Sequence, residues 1–188
     1  MSVPFQPLGI IGAFVVRPRV FSDDRGFFYE SWRSSLYAFS GDAPFVQDNL
    51  SLSSAGVLRG LHYQVGAPQG QLVTIVRGQV RDVIVDLRRG SPTFRQWEAL
   101  ALDAANPTQI FMPSGVAHGF HVLSGDAILH YKCTREYDPD TERGIRWNDP
   151  EIGIVWNAPD PRLSRRDAGF PYLADVGVDE LPSYIPPR

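Results

Sequence analysis

Glycine and proline interrupt this chain so often that few stretches remain for a helix of ordinary length. There are 17 Gly and 16 Pro among 188 residues; a proline removes a backbone donor and fixes φ, and a glycine weakens a helix interior. What lies between them alternates. Segments 47–53 (QDNLSLS), 71–76 (QLVTIV), 79–87 (QVRDVIVDL), 126–134 (DAILHYKCT) and 152–156 (IGIVW) carry the alternating or continuously apolar patterns of half-buried and buried strands. Turn signals punctuate them: Arg77-Gly78-Gln79, Arg89-Gly90-Ser91-Pro92, Pro113-Ser114-Gly115 and Ser124-Gly125-Asp126. Helix is confined to short pieces, one over 31–39 and one near Ser164. This predicts an all-β fold, a jelly roll whose two sheets can enclose a small ligand.

The length suits one domain, 1–188, with a jelly-roll core over about 8–157 and a C-terminal extension over 158–188. The longest apolar run, Leu8 to Val16, is nine residues and contains two glycines, far short of the ~20 that cross a bilayer. No basic residue precedes Arg17, so the start lacks the layout of a secretion signal, and a cytoplasmic protein without a membrane segment is expected. A formal net charge of −3 argues against a nucleic-acid partner. Cys133 is the single cysteine, which leaves no internal disulfide and no Cys-x-x-Cys metal spacing. Lys132 is the only lysine; arginine supplies the other 17 of the 18 basic residues.

Strand parity sorts side chains by the face they share. Gln47, Asn49, Ser51 and Ser53 lie on one face, with Leu50 and Leu52 on the other; for an ordinary strand, solvent is the commoner fate of such a polar row. Tyr131 and Cys133 point one way, and His130 and Lys132 the other, so Lys132 does not neighbour what Tyr131 touches. Asp82 and Asp86 share a face of an apolar strand, which predicts at least one buried carboxylate. Arg59 and His62 have opposite parity and reach one pocket only if Gly60 carries a bulge or the strand begins after it.

Few residues here suit catalysis. The four histidines, His62, His118, His121 and His130, include no His-x-His pair of the kind common in metal-binding jelly rolls, so no metal is expected. Nucleophile elbow, phosphate loop, dinucleotide glycine pattern and zinc-protease motif are all missing. A polar set of His62, Tyr131, arginines and carboxylates in a strand-rich barrel remains, suited to proton transfer on an anionic ligand.

Six segments then carry a resemblance: FSDDRGFFYE (21–30), QDNLSLSSAGVLRGLHYQ (47–64), GQVRDVIVDLRRGSPTF (78–94), PSGVAHGFHVLS (113–124), YKCTREYDPDTERGIRWNDPEIGIVW (131–156) and LSRRDA (163–168). In this order they closely resemble the dTDP-4-dehydrorhamnose 3,5-epimerase family over about residues 8–170. The resemblance implies a cupin-type double-stranded β-helix with a few short helices, a homodimer and no cofactor. The implied substrate is a nucleotide-linked 4-keto-6-deoxy sugar, with dTDP as the nucleotide.

On the family's motifs the base falls on His62, the acid on Tyr131 with Tyr137 as its rival, and the base's carboxylate partner on Asp167. Ser164 and Asp167 also have the spacing of a helix capping box, which would turn Asp167 to a backbone amide instead. Substrate-binding positions fall on Phe21, Arg25, Glu30, Gln47, Asn49, Arg59, His118 and Glu142, and Asp82 is expected to orient His118. Two positions depart from the motif: Gln71 stands where the family has a lysine before Leu-Val, and Arg166 replaces the lysine before the aspartate. Loss of the Gln71-site charge leaves three readings: a 3,5-epimerase with another donor, an enzyme inverting one carbon or using a different nucleotide-linked keto sugar, and a non-catalytic binding protein or metal cupin.

Overall fold

The computed structural model describes residues 5–37 and 44–186. Thirteen strands follow in chain order: β1 (Phe5–Pro7), β2 (Phe14–Val16), β3 (Val20–Asp23), β4 (Gly26–Tyr29), β5 (Gln47–Ser54), β6 (Leu58–Gln64), β7 (Gln71–Arg77), β8 (Gln79–Asp86), β9 (Trp97–Asp103), β10 (Gln109–Met112), β11 (Val116–Val122), β12 (Asp126–Cys133) and β13 (Glu142–Gly144). They form a six-stranded sheet, β1-β2-β10-β7-β12-β5, a five-stranded sheet, β13-β6-β11-β8-β9, and a separate β3-β4 hairpin. All pairings between these thirteen strands are antiparallel. The all-β jelly roll expected from punctuation and alternation is the observed architecture.

The two sheets face each other across one core. Val73, Ile75 and Leu129 from the larger sheet meet Val80, Ile84 and Phe120 from the smaller one, all at most 6% exposed. The outer face of the smaller sheet is also covered, because the chain after β13 wraps back over it. Val83, Val85 and Ala117 on that face pack with Ile145, Ile152, Trp156 and Leu173 of the wrapping segment. That double coverage explains why β8 is a nearly continuous apolar run. Asp82 and Asp86 on this strand are both fully buried. Asp86 is satisfied by the backbone amide and guanidinium of Arg88 and by the Ser91 and Thr93 hydroxyls.

Three expectations need correction. Residues 152–156 form no strand: the Asp149 carboxylate accepts from the amides of Glu151, Ile152 and Leu173 and sets a turn, and Gly153 has φ 67°. Their apolar spacing instead places Ile152 and Trp156 in the outer core. The 31–39 helix is a single turn at 34–36, with the Leu36 and Tyr37 amides both bonded to the Arg33 carbonyl. There the Tyr37 hydroxyl docks 2.7 Å from Gln109 Oε1, while residues 38 and 39 lie outside the described residues. Finally, the polar row of β5 faces inward while Leu50 and Leu52 are 66% and 61% exposed. A hydrophilic cavity between the sheets reverses the ordinary orientation of an edge strand.

The short helix is where it was expected. α1 (Arg165–Ala168) is capped by Ser164, whose hydroxyl accepts from the Asp167 amide at 3.0 Å. Among the described residues no helix is long and apolar enough to cross a membrane.

Candidate active site

Arg59 and His62 reach the same cavity because β6 is bulged between them. His62 pairs with His118 and Arg59 with Phe120, so three steps along β6 span two along β11. Gly60 makes this possible. Its φ is 114°, and a Cβ there would sit 2.6 Å from Gly119 Cα and 2.7 Å from the His118 carbonyl oxygen.

The cavity enclosed by these strands measures about 670 Å³. Gln47, Asn49 and Ser51 of β5 line it with Gln71 of β7 and Tyr131 of β12 on the larger sheet's side. From the other side come Arg59, His62 and His118, joined by Glu142 of β13, Tyr137 of the loop before it, and Arg166 and Asp167 of α1. Sequence motifs separated by more than a hundred residues therefore meet around one space.

His62 sits between two carboxylates. Its Nε2 lies 2.9 Å from Asp167 Oδ1 and its Nδ1 2.9 Å from Glu142 Oε1, while Phe170 packs edge-on to the ring at 5.3 Å. Both ends of the capping-box question are answered at once: Ser164 caps the Asp167 amide, and the Asp167 carboxylate goes to the imidazole. Burial disfavours the charged ring, but the bonds to Asp167 and Glu142 outweigh it and raise the His62 pKa. Glu142 is drawn down to about 2: its burial acts against ionisation, and the bonds from His62, Tyr137 and Arg166 prevail. The Tyr137 hydroxyl donates to Glu142 Oε2 at 2.6 Å, and Arg166 Nη2 reaches the same oxygen at 2.5 Å.

Around this cluster the other side chains are held in place. His118 Nε2 lies 2.8 Å from Asp82 Oδ2, the pairing expected of these two residues. Arg59 is braced by its Nε donating to Ser53 Oγ at 2.9 Å. The Tyr131 pKa is raised, first by burial and then by the neighbouring Cys133 and Glu142, against the opposing pull of the Arg59 cation, so the phenol keeps its proton. Lys132 points away from the cavity, as parity predicts; its ammonium contacts Asp48 at 2.7 Å and lies over the Trp32 ring. Gln71, by contrast, is part of the cavity wall.

Three expected binding residues are not brought to the cavity. Phe21 is on the exposed β3-β4 hairpin under the Arg19 guanidinium, Arg25 pairs with Asp23 at 2.5 Å, and Glu30 pairs with Arg33. Conversely, Gln64 and Gln69 line the cavity although neither was expected there. For Gln64 a signal existed, since it shares parity with His62. The Glu142 contact with His62 depends on β13 pairing with β6, Glu142 opposite Gln64 and Gly144 opposite His62, a register that no local pattern specifies.

Comparison with known proteins bears on the family and the fold. A profile described as dTDP-4-dehydrorhamnose 3,5-epimerase matches residues 7–175. The chain is 50% identical over 172 residues to the dTDP-4-dehydrorhamnose 3,5-epimerase of Pseudomonas aeruginosa, covering 90% of this chain and 95% of that one. A Legionella pneumophila dTDP-6-deoxy-D-glucose-3,5-epimerase, solved with dTDP-4-keto-L-rhamnose, superimposes with a TM-score of 0.95 at 41% identity, covering 98% of this chain and all of that one. A 3'-monoepimerase from Streptomyces bikiniensis, solved with dTDP-quinovose, superimposes with a TM-score of 0.89 at 38% identity, covering 98% and 93% of the two chains.

Proposed function

Since the chain belongs to the dTDP-4-dehydrorhamnose 3,5-epimerase family, we propose that it converts dTDP-4-dehydro-6-deoxyglucose to dTDP-4-dehydrorhamnose by inverting carbons 3 and 5. It is an isomerase, and its residues have to move protons only. A ketone at carbon 4 acidifies the hydrogens on carbons 3 and 5, because the electron pair of the broken C–H bond delocalises onto the ketone oxygen. His62 takes the proton as base, and Tyr131 returns one to the opposite face. The arrangement that carries this reading is an imidazole oriented by the covered carboxylate of Asp167 in a cavity that also contains a protonated phenol. Tyr137 is a weaker candidate for the acid, since its hydroxyl is committed to Glu142.

Enolate charge calls for donors near the ketone oxygen. Arg59, His118 and the Gln71 amide are the cavity's candidates, and Gln47 and Asn49 line the same space. A second reading, inversion at one carbon or use of a different keto sugar, rests on the neutral Gln71 in the wall. A homodimer fits the exposure of Phe21, Phe27 and Phe28 on the hairpin; the hairpin of a second copy would bring Phe21, Arg25 and Glu30 to a cavity they do not reach within one chain. No cofactor enters the mechanism, and a cytoplasmic setting suits the unpaired Cys133 thiol.

Incubation with dTDP-4-dehydro-6-deoxyglucose in heavy water tests these readings together. Deuterium at carbons 3 and 5 supports the 3,5-epimerase, deuterium at one carbon supports the second reading, and deuterium at neither overturns both.

A further inference from the structure

A base needs a lone pair, and with both ring nitrogens engaged His62 has none to offer. A neutral imidazole carries one N–H and can satisfy one carboxylate; with Asp167 and Glu142 each 2.9 Å from a ring nitrogen, the arrangement favours the imidazolium, which donates from both. One carboxylate has to let go before His62 can accept a proton from carbon. The surroundings decide which. Asp167 is 5% exposed in its side chain and its carboxylate is committed to His62, so withdrawal would strand a covered charge. Glu142 loses less, because its Oε2 keeps the Tyr137 hydroxyl at 2.6 Å and the Arg166 guanidinium at 2.5 Å after Oε1 leaves the ring. Both of those partners are about half exposed, at 47% and 51%, and have room to move with it.

We propose that Glu142 is a displaceable clamp on His62, holding Nδ1 in the free enzyme and withdrawing toward Arg166 and Tyr137 when a sugar enters. On release the Nδ1 proton passes to water, and the electron pair of that N–H bond remains on nitrogen as the lone pair that attacks the substrate proton. Glu142 is thereby a positioning residue for the base, and Arg166 and Tyr137 are the groups that hold it aside. The proposal rests on the assignment of His62 as base. The charged and titratable groups that line the cavity with the ring are Asp167 and Arg166 from α1, Arg162 from the segment before it, Glu142 from β13, Tyr137 from the loop before β13, His118 from β11 and Tyr131 from β12, with Arg59 and Tyr63 on its own strand.

The test is a ring-nitrogen NMR titration of His62 in the whole protein. Glu142→Gln removes the clamp's charge and lowers the midpoint below that of the wild type. Arg166→Gln removes the cation that competes for Glu142 and moves the midpoint the opposite way; withdrawal of the clamp itself is read from the ligand-bound ring. Addition of saturating dTDP-glucose, which lacks the ketone and cannot react, converts wild-type His62 to the singly protonated ring near neutral pH. The same midpoint in wild type and Glu142→Gln, shifts of equal sign in the two variants, or a ring that stays doubly protonated with dTDP-glucose bound overturns the clamp. Failure of the base assignment reads out separately, as C–H exchange that survives His62→Asn.

Discussion

Asp167→Asn separates charge from shape at the candidate base. The amide occupies the same volume and its oxygen can still accept from His62 Nε2, now 2.9 Å from Asp167 Oδ1, but the partner of the developing imidazolium is neutral. A hydrogen bond to a charged group is worth about 1.5–3 kcal/mol against 0.5–1.5 for a neutral one. The difference, about 1–1.5 kcal/mol, corresponds to roughly a tenfold loss in rate. If the amide instead turns its NH2 toward Nε2, the ring is held in the wrong tautomer and the loss grows toward the ~10⁴ seen for the analogous change in a serine-protease triad. Deuterium incorporation from heavy water, followed by NMR over a substrate series, should therefore give kcat down by at least about tenfold. KM should change much less, because Asp167 acts through the imidazole. The acidic limb of the rate profile should also move to lower pH, since the Asp167 bond helps hold the His62 pKa up against burial. A kcat close to that of the wild type, with an unmoved acidic limb, would refute the dyad.

Gln71→Lys restores a cation in the cavity wall. Charged donors are roughly twice as strong as neutral ones, so kcat for exchange at carbons 3 and 5 should rise several-fold; no gain would mean that Arg59 or His118 already meets the enolate's demand. Gly60→Ala places a Cβ 2.6 Å from Gly119 Cα at a φ of 114°, and urea unfolding should show at least about 2 kcal/mol of lost stability from backbone strain and steric overlap. An unchanged midpoint would contradict the bulge. With Glu142 drawn to about 2 from an ordinary 4.5, its contribution is present above pH 4.5 and is lost as pH falls through 2. A shift of that size is worth roughly 3 kcal/mol, and His62 shares the same bond, so the two are one contribution and not two. Unfolding midpoints at neutral and strongly acidic pH should drop less in Glu142→Gln than in the wild type.

Local patterns reached the fold because its strands are short and their faces differ. Alternation located β5, β7, β8 and β12, and parity placed Lys132 outside the cavity, where it meets Asp48. The conflict between Arg59 and His62 left two resolutions, a bulge at Gly60 or a strand beginning after it, and β6, which starts at Leu58, takes the bulge. The misreading at 152–156 has a physical cause: a wrapping segment buries alternate side chains against a sheet much as a strand does, and only the Asp149 turn and the positive φ of Gly153 distinguish it. Parity alone pointed the polar row of β5 to solvent, because alternation does not reveal whether a strand's neighbours enclose water or hydrocarbon; only the motif resemblance put Gln47 and Asn49 at the substrate. The Glu142–His62 contact joins residues 80 apart through a three-residue strand, beyond any local signal. Phe21, Arg25 and Glu30 came from motif position alone, and within one chain the hairpin carries them away from the cavity.

The central claim is that the imidazole of His62 removes the proton beside the ketone. Solvent deuterium uptake into dTDP-4-dehydro-6-deoxyglucose by folded His62→Asn protein tests it most directly. No label should enter at carbon 3 or carbon 5 while thymidine nucleotide still binds; label entering at the wild-type rate would contradict the account.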